Sequence, residues 1–406
     1  MTVDYDPFSH QSMLDPTDYY RQMREEGAPH YIEKYDAWAL TRFADVWEAS
    51  CMKQDSITFT GGQAPAQVLL DFMPKPTSKQ FMVMDCPEST KWRGVIRKDY
   101  TPGGAMSQEG RIRELAREIL EPFLAKGKMD VYGDYGNIVA GINAGYMLGM
   151  SRPMSENCRS LITKFLAREH GQINGELTEA NINAILELNS VITEYVAELR
   201  AHPERAKRQI KAFIESDVDD GHGLNDEDLI SQISGLLITG SETTPVSLAG
   251  TLYYLNKHLE QKREVLNDHS LITSAFLESA RYDQPTNMLV RNAAKDIVIG
   301  GKNIKAGQGL LYIYASATRD PQEYENPEVF DIHREHKRDL TFGHGLHKCL
   351  GMHLAVVMGR VMLEELFSAI GDYEVVEQEC ERLYGEFISG FGKVTITWNP
   401  STASLK

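Results

Sequence analysis

The amino-acid sequence predicts a mainly α-helical fold with smaller β-sheets. Residues 107–215 form a series of amphipathic patterns, in which apolar side chains recur at helical spacing between glycine- and proline-containing breaks. A longer helical pattern runs from Asn225 to about Lys257, and another begins near Leu350. The stretches with strand character that lie between these helices are all short.

The N-terminal region mixes helix and strand. Residues Pro16 to Glu26 predict a short helix, and His30 to Glu33 and Trp38 to Thr41 predict strands. Residues 61–80 contain three prolines and predict a long irregular loop. Loops of this length are commonly functional.

Composition narrows the possible functions. The 406 residues are 42% hydrophobic and 25% charged, which are ordinary globular values, and no linker or internal repeat divides them. We therefore expect a single domain over 1–406. The formal net charge of -16 argues against a nucleic-acid-binding surface.

Targeting signals are not apparent in the sequence. The five cysteines include no CxxC pair, which fits a reducing cytoplasm better than a disulfide framework. The N-terminus has neither a basic segment nor an apolar one, and no apolar run approaches the ~18 residues of a membrane span. We expect a cytoplasmic protein without membrane insertion.

The segment Leu340 to Gly359 carries the most distinctive pattern. The order aromatic–Gly–x–Gly–x–His–x–Cys–x–Gly runs from Phe342 to Gly351 and includes Cys349. Glycines allow the backbone to approach a flat group closely. The following helix places Cys349 just before a helix N-terminus, where amide groups would lower the pKa of the thiol and stabilise the thiolate. Such a thiolate is a metal ligand or a nucleophile.

A second candidate site lies inside the long helix predicted from Asn225, which is a suitable N-cap. Gly240 weakens the helix locally, and Pro245 cannot donate to the carbonyl group four residues before it. We therefore expect the helix to break beside Glu242 and Thr243. A buried acid and alcohol at such a break indicate a functional site.

Two further helices carry charged patterns that are weak when taken alone. Pro87 and Glu88 suit the first turn of a helix that also carries Arg93. Glu278 and Arg281 stand three residues apart, the spacing of an ion pair on one helix face.

These four stretches, in this order, resemble the cytochrome P450 superfamily, and specifically its soluble, bacterial-type haem-thiolate monooxygenases. The segment Phe342 to Gly351 resembles the haem-binding signature, the stretch around Arg93 the C helix, Thr239 to Thr243 the I-helix motif, and Glu278 to Arg281 the E-x-x-R motif. The resemblance implies a fold in which haem b lies between a long central I helix and the Cys loop with its L helix.

The resemblance also implies which residues hold the haem. Cys349 would be the axial iron ligand, and its thiolate would push electron density onto the iron to favour O–O cleavage. Arg93, Arg291 and His347 would anchor the propionates by charge-assisted bonds. Ser89 replaces the usual histidine, so one propionate contact differs. The other residues expected around the haem are Phe342, Gly343 and Gly351.

On the oxygen side, Glu242 would relay protons from solvent and Thr243 would hydrogen-bond the oxygen molecule that is being activated. Thr239 stands where the family usually has alanine, so its hydroxyl would face the haem or the substrate. Glu278 and Arg281 would form a buried structural pair beneath the haem, with Arg334 as the expected third partner.

The implied reaction inserts one atom of O₂ into a small-to-medium hydrophobic compound, by hydroxylation or oxidative dealkylation. The expected pocket wall is mainly apolar with some hydroxyl groups, and Gly235 would leave extra room above the haem. That wall comprises the 61–81 loop, Ile238, Thr239, Thr286, Leu289, Phe387 and Ile388.

The sequence contains no Rossmann fingerprint, flavin module or iron–sulfur cysteine set, so no fused reductase is expected. Electrons would come from separate proteins, namely a ferredoxin with its reductase or an equivalent flavoprotein. We expect these partners to dock near Cys349 through the cations Arg97, Lys98, Lys348 and Arg360.

Three other interpretations remain possible from the sequence: a haem-binding sensor or carrier, a peroxide-driven peroxygenase, and a zinc site. The intact pair of Glu242 and Thr243 disfavours a sensor or carrier, because binding alone needs no proton relay. Retention of the pair disfavours a peroxygenase as well. A zinc site made of His344, His347 and Cys349 would lack a fourth ligand.

Overall fold

Helices account for most of the described chain. The computed structural model describes residues 3–27, 29–53, 55–58, 78–169, 176–216, 223–335 and 337–405, so most of the predicted 61–80 loop lies outside these ranges. Among the described residues, no helix is both long enough and apolar enough to cross a membrane. The helices are α1 (His10–Leu14), α2 (Thr17–Glu26), α3 (Phe43–Cys51), α4 (Glu88–Ile96), α5 (Pro102–Met106), α6 (Glu109–Leu124), α7 (Asn137–Met147), α8 (Arg152–Leu166), α9 (Glu179–Ala201), α10 (Arg208–Glu215), α11 (Asp226–Ser241), α12 (Thr243–Lys257), α13 (Leu259–Asn267), α14 (Ile272–Tyr282), α15 (Tyr314–Ala317) and α16 (Met352–Ile370).

The strands form small sheets. The largest has five strands in the order β1-β2-β8-β5-β3, and only the β2–β8 pairing within it is parallel. The three-stranded sheet has the order β4-β12-β9. The strands are β1 (His30–Ile32), β2 (Ala37–Leu40), β3 (Ile57–Thr58), β4 (Lys128–Asp130), β5 (Met288–Ala293), β6 (Ile297–Ile299), β7 (Lys302–Ile304), β8 (Gly309–Ile313), β9 (Glu374–Val375), β10 (Glu381–Arg382), β11 (Phe391–Lys393) and β12 (Thr395–Thr397).

The long central helix is interrupted as predicted, so it forms the two segments α11 and α12. The Asn225 side chain caps α11 by accepting from the backbone N–H of Asp228. The break falls at Glu242, whose φ is -108° and ψ is -42°. The proline at position 245 cannot supply the N–H that would continue the hydrogen-bond ladder across this point.

One region of the fold was not predicted. Between α6 and α7 lie strand β4 and a π-helical turn, Val131–Gly136, instead of a simple helix break. The Asp130 carboxylate caps this turn by accepting from the backbone N–H groups of Tyr132 and Gly133. Strand β4 pairs with β12 near the C-terminus, and such a distant pairing leaves no local sequence pattern.

Helices α7 and α8 pack closely because α7 presents small residues to its neighbour. A Cβ atom on Gly145 would lie 2.1 Å from Ser155 Oγ, and one on Gly141 would lie 2.6 Å from Arg159 Cγ. Contacts this short are not tolerated, so glycine at both positions allows α8 to come within reach of the helix break.

The hydrophobic core consists of several clusters. One joins α12 and α16 with α6 and α7, one joins α8, α9 and α11, and one joins the large sheet with α3. The predicted pocket residues Ile388, Ile238 and Leu289 are partly buried at the edges of these three clusters, respectively.

Candidate functional site

Cys349 lies in the loop between the 3₁₀ turn Gly345–His347 and helix α16, as the sequence predicts. Its backbone N–H donates to the carbonyl oxygen of Phe342 at 2.9 Å, which closes the loop. Gly351 occupies the N-cap of α16. The loop therefore presents the sulfur beside the first turn of a helix.

Helix α3 supports this loop from one side. Gly343 and Gly345 have φ values of +66° and +75°, which favour glycine. A Cβ on Gly345 would lie 2.2 Å from the carbonyl oxygen of Ser50, so the loop packs directly against the helix. The His344 ring stacks on Trp47 with 3.6 Å between ring centroids. These contacts fix the loop backbone.

The pKa of the Cys349 thiol is raised, which corrects the expectation that it is lowered. Desolvation by the surrounding protein has the largest effect on this pKa, although the residue has exposed surface. The backbone N–H groups of Gly351 and Met352 do lower the pKa of the thiol, as do the charges of Arg93 and Lys348. The effect of desolvation outweighs them. A bound metal ion would reverse the balance, because a coordinating thiol is deprotonated.

Three basic side chains gather beside the Cys loop. The Arg93 guanidinium donates to the carbonyl oxygen of Lys348. Arg291 is only 3% exposed and lies over the Tyr312 ring, 4.8 Å from its centroid. Burial, followed by the charges of Arg291 and Arg93, lowers the pKa of His347 to about 3. The two arginines supply positive charge and the uncharged imidazole supplies a hydrogen-bonding nitrogen, so this donor set fits the two carboxylates of a haem.

Ser89, which replaces the family's usual histidine, makes a local contact. It is 3% exposed, and its hydroxyl lies 3.2 Å from the Cys86 sulfur. Thr90 contacts the same sulfur at 2.8 Å.

Glu278 and Arg281 form the expected buried pair, and Arg334 is its third partner. The Arg281 Nε and Glu278 Oε2 atoms are 2.7 Å apart, and the two side chains are 0% and 2% exposed. Arg334 Nε lies 3.2 Å from Glu278 Oε1. The two arginines also donate to backbone carbonyls of the segment that leads to the Cys loop; those of Arg281 belong to Thr318 and Pro327. The pair therefore holds that segment in place.

Glu242 is 3% exposed and accepts three hydrogen bonds from other elements. Tyr132 in the π-helical turn donates to Oε2 at 2.5 Å, while Asn137 of α7 and Thr163 of α8 donate to Oε1 at 3.2 and 3.1 Å. Thr243 begins α12 and is half-buried. Sequence reasoning named Glu242 but missed its three donors, because each is a single polar residue with no motif.

The Thr239 hydroxyl is directed at its own helix. It donates to the carbonyl oxygen of Gly235 at 2.8 Å and lies 3.8 Å from the Met82 sulfur, although the residue itself is exposed. The expectation that Gly235 leaves extra room is wrong. A Cβ there would lie 2.4 Å from Met82 Cε and 2.5 Å from Gln80 Nε2, so these side chains fill the space.

The other predicted pocket residues are brought together in part. Thr286 and Ile388 form a β-bridge, and the N–H of Asn287 donates to the Phe387 carbonyl at 2.9 Å. Leu289 follows in β5 and is partly buried. The predicted 61–81 wall lies outside the described residues as far as position 77.

A buried ion pair beside the Thr286–Ile388 bridge was not predicted from the sequence. Arg168, just after α8, lies 3.7 Å from Glu386, and the two side chains are 7% and 1% exposed. The Glu386 carbonyl also accepts from the Asn287 side chain at 2.9 Å. The pair connects the end of α8 to the predicted pocket wall.

The cations predicted for partner docking differ in their surroundings. Arg97, Lys98 and Lys348 are exposed. Arg360 is instead bonded to Glu109 and Glu364, each at 2.6 Å, so its charge is compensated within the fold. Glu364 stands four residues after Arg360 and could have been noticed in the sequence, whereas Glu109 is 251 residues away.

The zinc alternative is wrong for the described residues: no group of three or more His, Cys, Asp or Glu side chains among them is arranged to hold a metal ion. His344 is stacked on Trp47, and His347 is placed among the propionate-binding candidates.

Comparisons with known proteins agree with this geometry. The family model described as "Cytochrome P450" matches residues 146–371, more than half of the chain. The chain is 29% identical to "Putative cytochrome P450 123" of Mycobacterium tuberculosis, covering 97% of this chain and 96% of that protein. It is 27% identical to the "Vitamin D(3) 25-hydroxylase" of Pseudonocardia autotrophica, covering 99% and 98%.

A solved structure shows the same fold. Cytochrome P450 CYP109Q5 from Chondromyces apiculatus superposes with a TM-score of 0.85 at 25% sequence identity, covering 100% of both chains. The overall fold, mainly helical with small sheets, is thus shared with a solved member. The chain belongs to the cytochrome P450 family, and it is a haem-dependent monooxygenase.

Proposed function

We propose that this protein inserts one atom of O₂ into a small-to-medium hydrophobic substrate, with Cys349 as the axial ligand of haem b. The arrangement of the Cys loop carries the proposal. A sulfur beside a helix N-terminus is accompanied by two cationic side chains, Arg93 and Arg291, and by the uncharged imidazole of His347, a donor set that suits two propionates.

Haem b, rather than a covalently attached haem, is supported by the cysteine pattern. The sequence contains no C-x-x-C-H segment, which is the attachment motif of c-type haem. Cys349 would hold the iron, and the two arginines with His347 would hold the propionates. The bound haem would supply the binding and reduction of O₂, for which an axial thiolate favours O–O cleavage.

The residues at the helix break would manage protons. Glu242 is buried, and its carboxyl oxygens are held by donors from three elements, so its position is defined. Thr243 follows it at the start of α12 and carries a hydroxyl that can donate and accept. In the proposal Glu242 takes a proton from solvent, and Thr243 directs that proton toward the O₂-binding side of the haem. For such a transfer the positions of the two side chains are the first requirement, and their pKa values come second.

The pocket residues support a hydrophobic substrate without selecting one. Ile238, Leu289 and Ile388 lie partly buried at the edges of three core clusters, and Thr286 adds a hydroxyl. One relative is named a vitamin D3 25-hydroxylase, which is consistent with this class. We propose a terpenoid, aromatic or steroid-like compound.

Electrons would come from a ferredoxin and its reductase, or an equivalent flavoprotein, docking near the Cys loop. The cations that support this are Arg97, Lys98 and Lys348, which are all exposed. Leu346 lies in the same loop as Lys348 and is 58% exposed, so the loop offers an apolar contact beside a cation. Arg360 is excluded from this docking surface, because it is ion-paired with Glu109 and Glu364.

Optical titration of the purified holoprotein tests the proposal. We would add a panel of terpenoids, aromatics and steroids and follow the spectral shift that accompanies displacement of iron-bound water. We expect saturable shifts with hydrophobic compounds and none with polar compounds of similar size. A protein that binds no haem, or that shifts only with polar compounds, would contradict the proposal.

A further inference from the structure

The three donors to Glu242 are all uncharged. They are a phenol, an amide and an alcohol, and they come from the π-helical turn, α7 and α8. In the part of the chain that the structure describes, no Lys, Arg or His side chain forms an ion pair with this carboxyl. Its oxygens are thus fixed by uncharged donors, and the charge of Arg159 reaches the site through the Asn137 amide without a direct ion pair.

The orientation of the amide is itself determined by an arginine. Arg159 Nη1 donates to Asn137 Oδ1 at 2.8 Å. Because a guanidinium can only donate, the amide oxygen must face Arg159 and the NH₂ group must face Glu242. The Arg159 side chain packs directly against Gly141. A Cβ atom at position 141 would lie 2.6 Å from Arg159 Cγ, so glycine is required there for this arrangement.

The phenol of Tyr132 is placed to donate to the carboxylate of Glu242. Burial, and then the charge of Glu242, raise the pKa of Tyr132 well above its usual value, so the phenol keeps its proton. Its backbone is held by the Asp130 cap at 3.1 Å. Tyr132 is 7% exposed, and its hydroxyl is committed to Glu242.

We propose that Tyr132, Asn137 and Thr163 are positioning residues that keep the Glu242 carboxyl in place while it gains and loses a proton. The three uncharged donors fix the carboxyl oxygens from three elements without a direct ion pair, so a proton can bind the carboxylate without breaking one. A proton from water binds one carboxylate oxygen and then leaves toward Thr243, which returns the carboxylate to its starting form. This inference rests on the proposed relay role of Glu242.

The first test measures how electrons from NADPH divide between hydrogen peroxide and water. The holoprotein is supplied with a bacterial ferredoxin and ferredoxin reductase, without added substrate, in H₂O and in D₂O. Forming peroxide consumes one NADPH and one proton per O₂, and forming two waters consumes two of each. The partition therefore reports proton delivery.

The variants for this test are Tyr132→Phe and Thr163→Val, with Tyr135→Phe as a matched control. Tyr135 lies in the same turn, but its phenol donates to the carbonyl oxygen of Met362 at 2.9 Å. We expect the first two variants to lose several-fold in water formation and to show a larger solvent isotope effect. Tyr135→Phe should match the wild type, and Thr163→Ser should restore what Thr163→Val loses.

Glu242→Gln separates failure of this inference from failure of the proposed function. If Glu242→Gln keeps the wild-type partition and isotope effect, the relay role itself fails. If Glu242→Gln alters both while Tyr132→Phe and Thr163→Val behave like Tyr135→Phe, the positioning role is overturned and the relay role stands.

A second test needs no turnover. The denaturation midpoint of Tyr132→Phe is compared in the wild-type background and in Glu242→Leu. The variant should lower the midpoint in the wild type, and it should be neutral or stabilising where its acceptor is already missing. Equal decreases in both backgrounds would show that the phenol does not act through Glu242.

Discussion

Two buried glutamates illustrate different ways to hold a carboxylate inside one fold. Glu278 faces two arginines at 2.7 and 3.2 Å, whereas Glu242 faces a phenol, an amide and an alcohol. Both residues are at most 3% exposed, so both need hydrogen-bond partners. Ion pairs with two arginines make the first glutamate a structural brace, while the second is held by uncharged donors, as we propose for a residue that exchanges a proton.

The largest expected effect comes from breaking the charged arrangement. Glu278→Ala would leave Arg281 and Arg334 buried without their carboxylate, which costs about 3–5 kcal/mol of folding free energy. We expect a large decrease in the denaturation midpoint and poor haem retention. Asp18→Ala is the matched control, because Asp18 pairs with Arg21 at the same spacing but with 84% and 52% of the side chains exposed. If both variants lowered the midpoint equally, burial would not be what gives Glu278 its structural role.

On the opposite side of the comparison, Thr243→Ala should spare stability and impair chemistry. The variant should keep its haem, but the fraction of electrons lost as peroxide should rise several-fold because proton delivery is disturbed. Thr251→Ala in the same helix is the control, since its hydroxyl donates to the carbonyl oxygen of Ser247 at 2.7 Å within α12. Tight coupling in Thr243→Ala would refute its role in the relay.

A smaller effect is expected when an exposed cation near the Cys loop is replaced, compared with an exposed cation elsewhere on the surface. Lys98→Glu should slow reduction by a ferredoxin several-fold at low salt, and the difference should shrink as salt is added. Lys302→Glu, at an exposed position in β7, controls for the change in net charge. Reduction rates measured by stopped-flow would contradict the docking surface if the two variants were alike.

The smallest effect is expected at Thr239. Its hydroxyl bonds its own helix at Gly235, so Thr239→Ala should leave both the denaturation midpoint and the peroxide fraction nearly unchanged. Thr243→Ala serves as the positive control in the same assay. A marked rise in peroxide from Thr239→Ala would mean that the Thr239 hydroxyl belongs to the relay.

The features that the sequence predicted are mostly local. The Asn225 cap, the break beside Glu242 and the loop position of Cys349 each follow from a few adjacent residues. Such patterns act over one or two turns and can be read without a fold. Arg334, the third partner, is 56 residues from Glu278 and was predicted from the resemblance to the family instead.

What the sequence did not reveal depends on distant contacts. The Tyr132 and Thr163 donors reach Glu242 only after the π-helical turn and α8 pack against the break. Arg360 is ion-paired with Glu109 and is therefore not available for a partner protein, and Met82 fills the space beside Gly235. None of these contacts has a signature in the chain near the residue concerned.

The most direct test of the account is the spectrum of the ferrous CO complex in the wild type and in Cys349→His. We predict a thiolate-type absorption band in the wild type and its loss in Cys349→His. Cys380→Ser, which changes a cysteine outside the loop, should keep the band. A thiolate-type band that persists in Cys349→His, or is missing from the wild type, would contradict the assignment of Cys349 as the iron ligand.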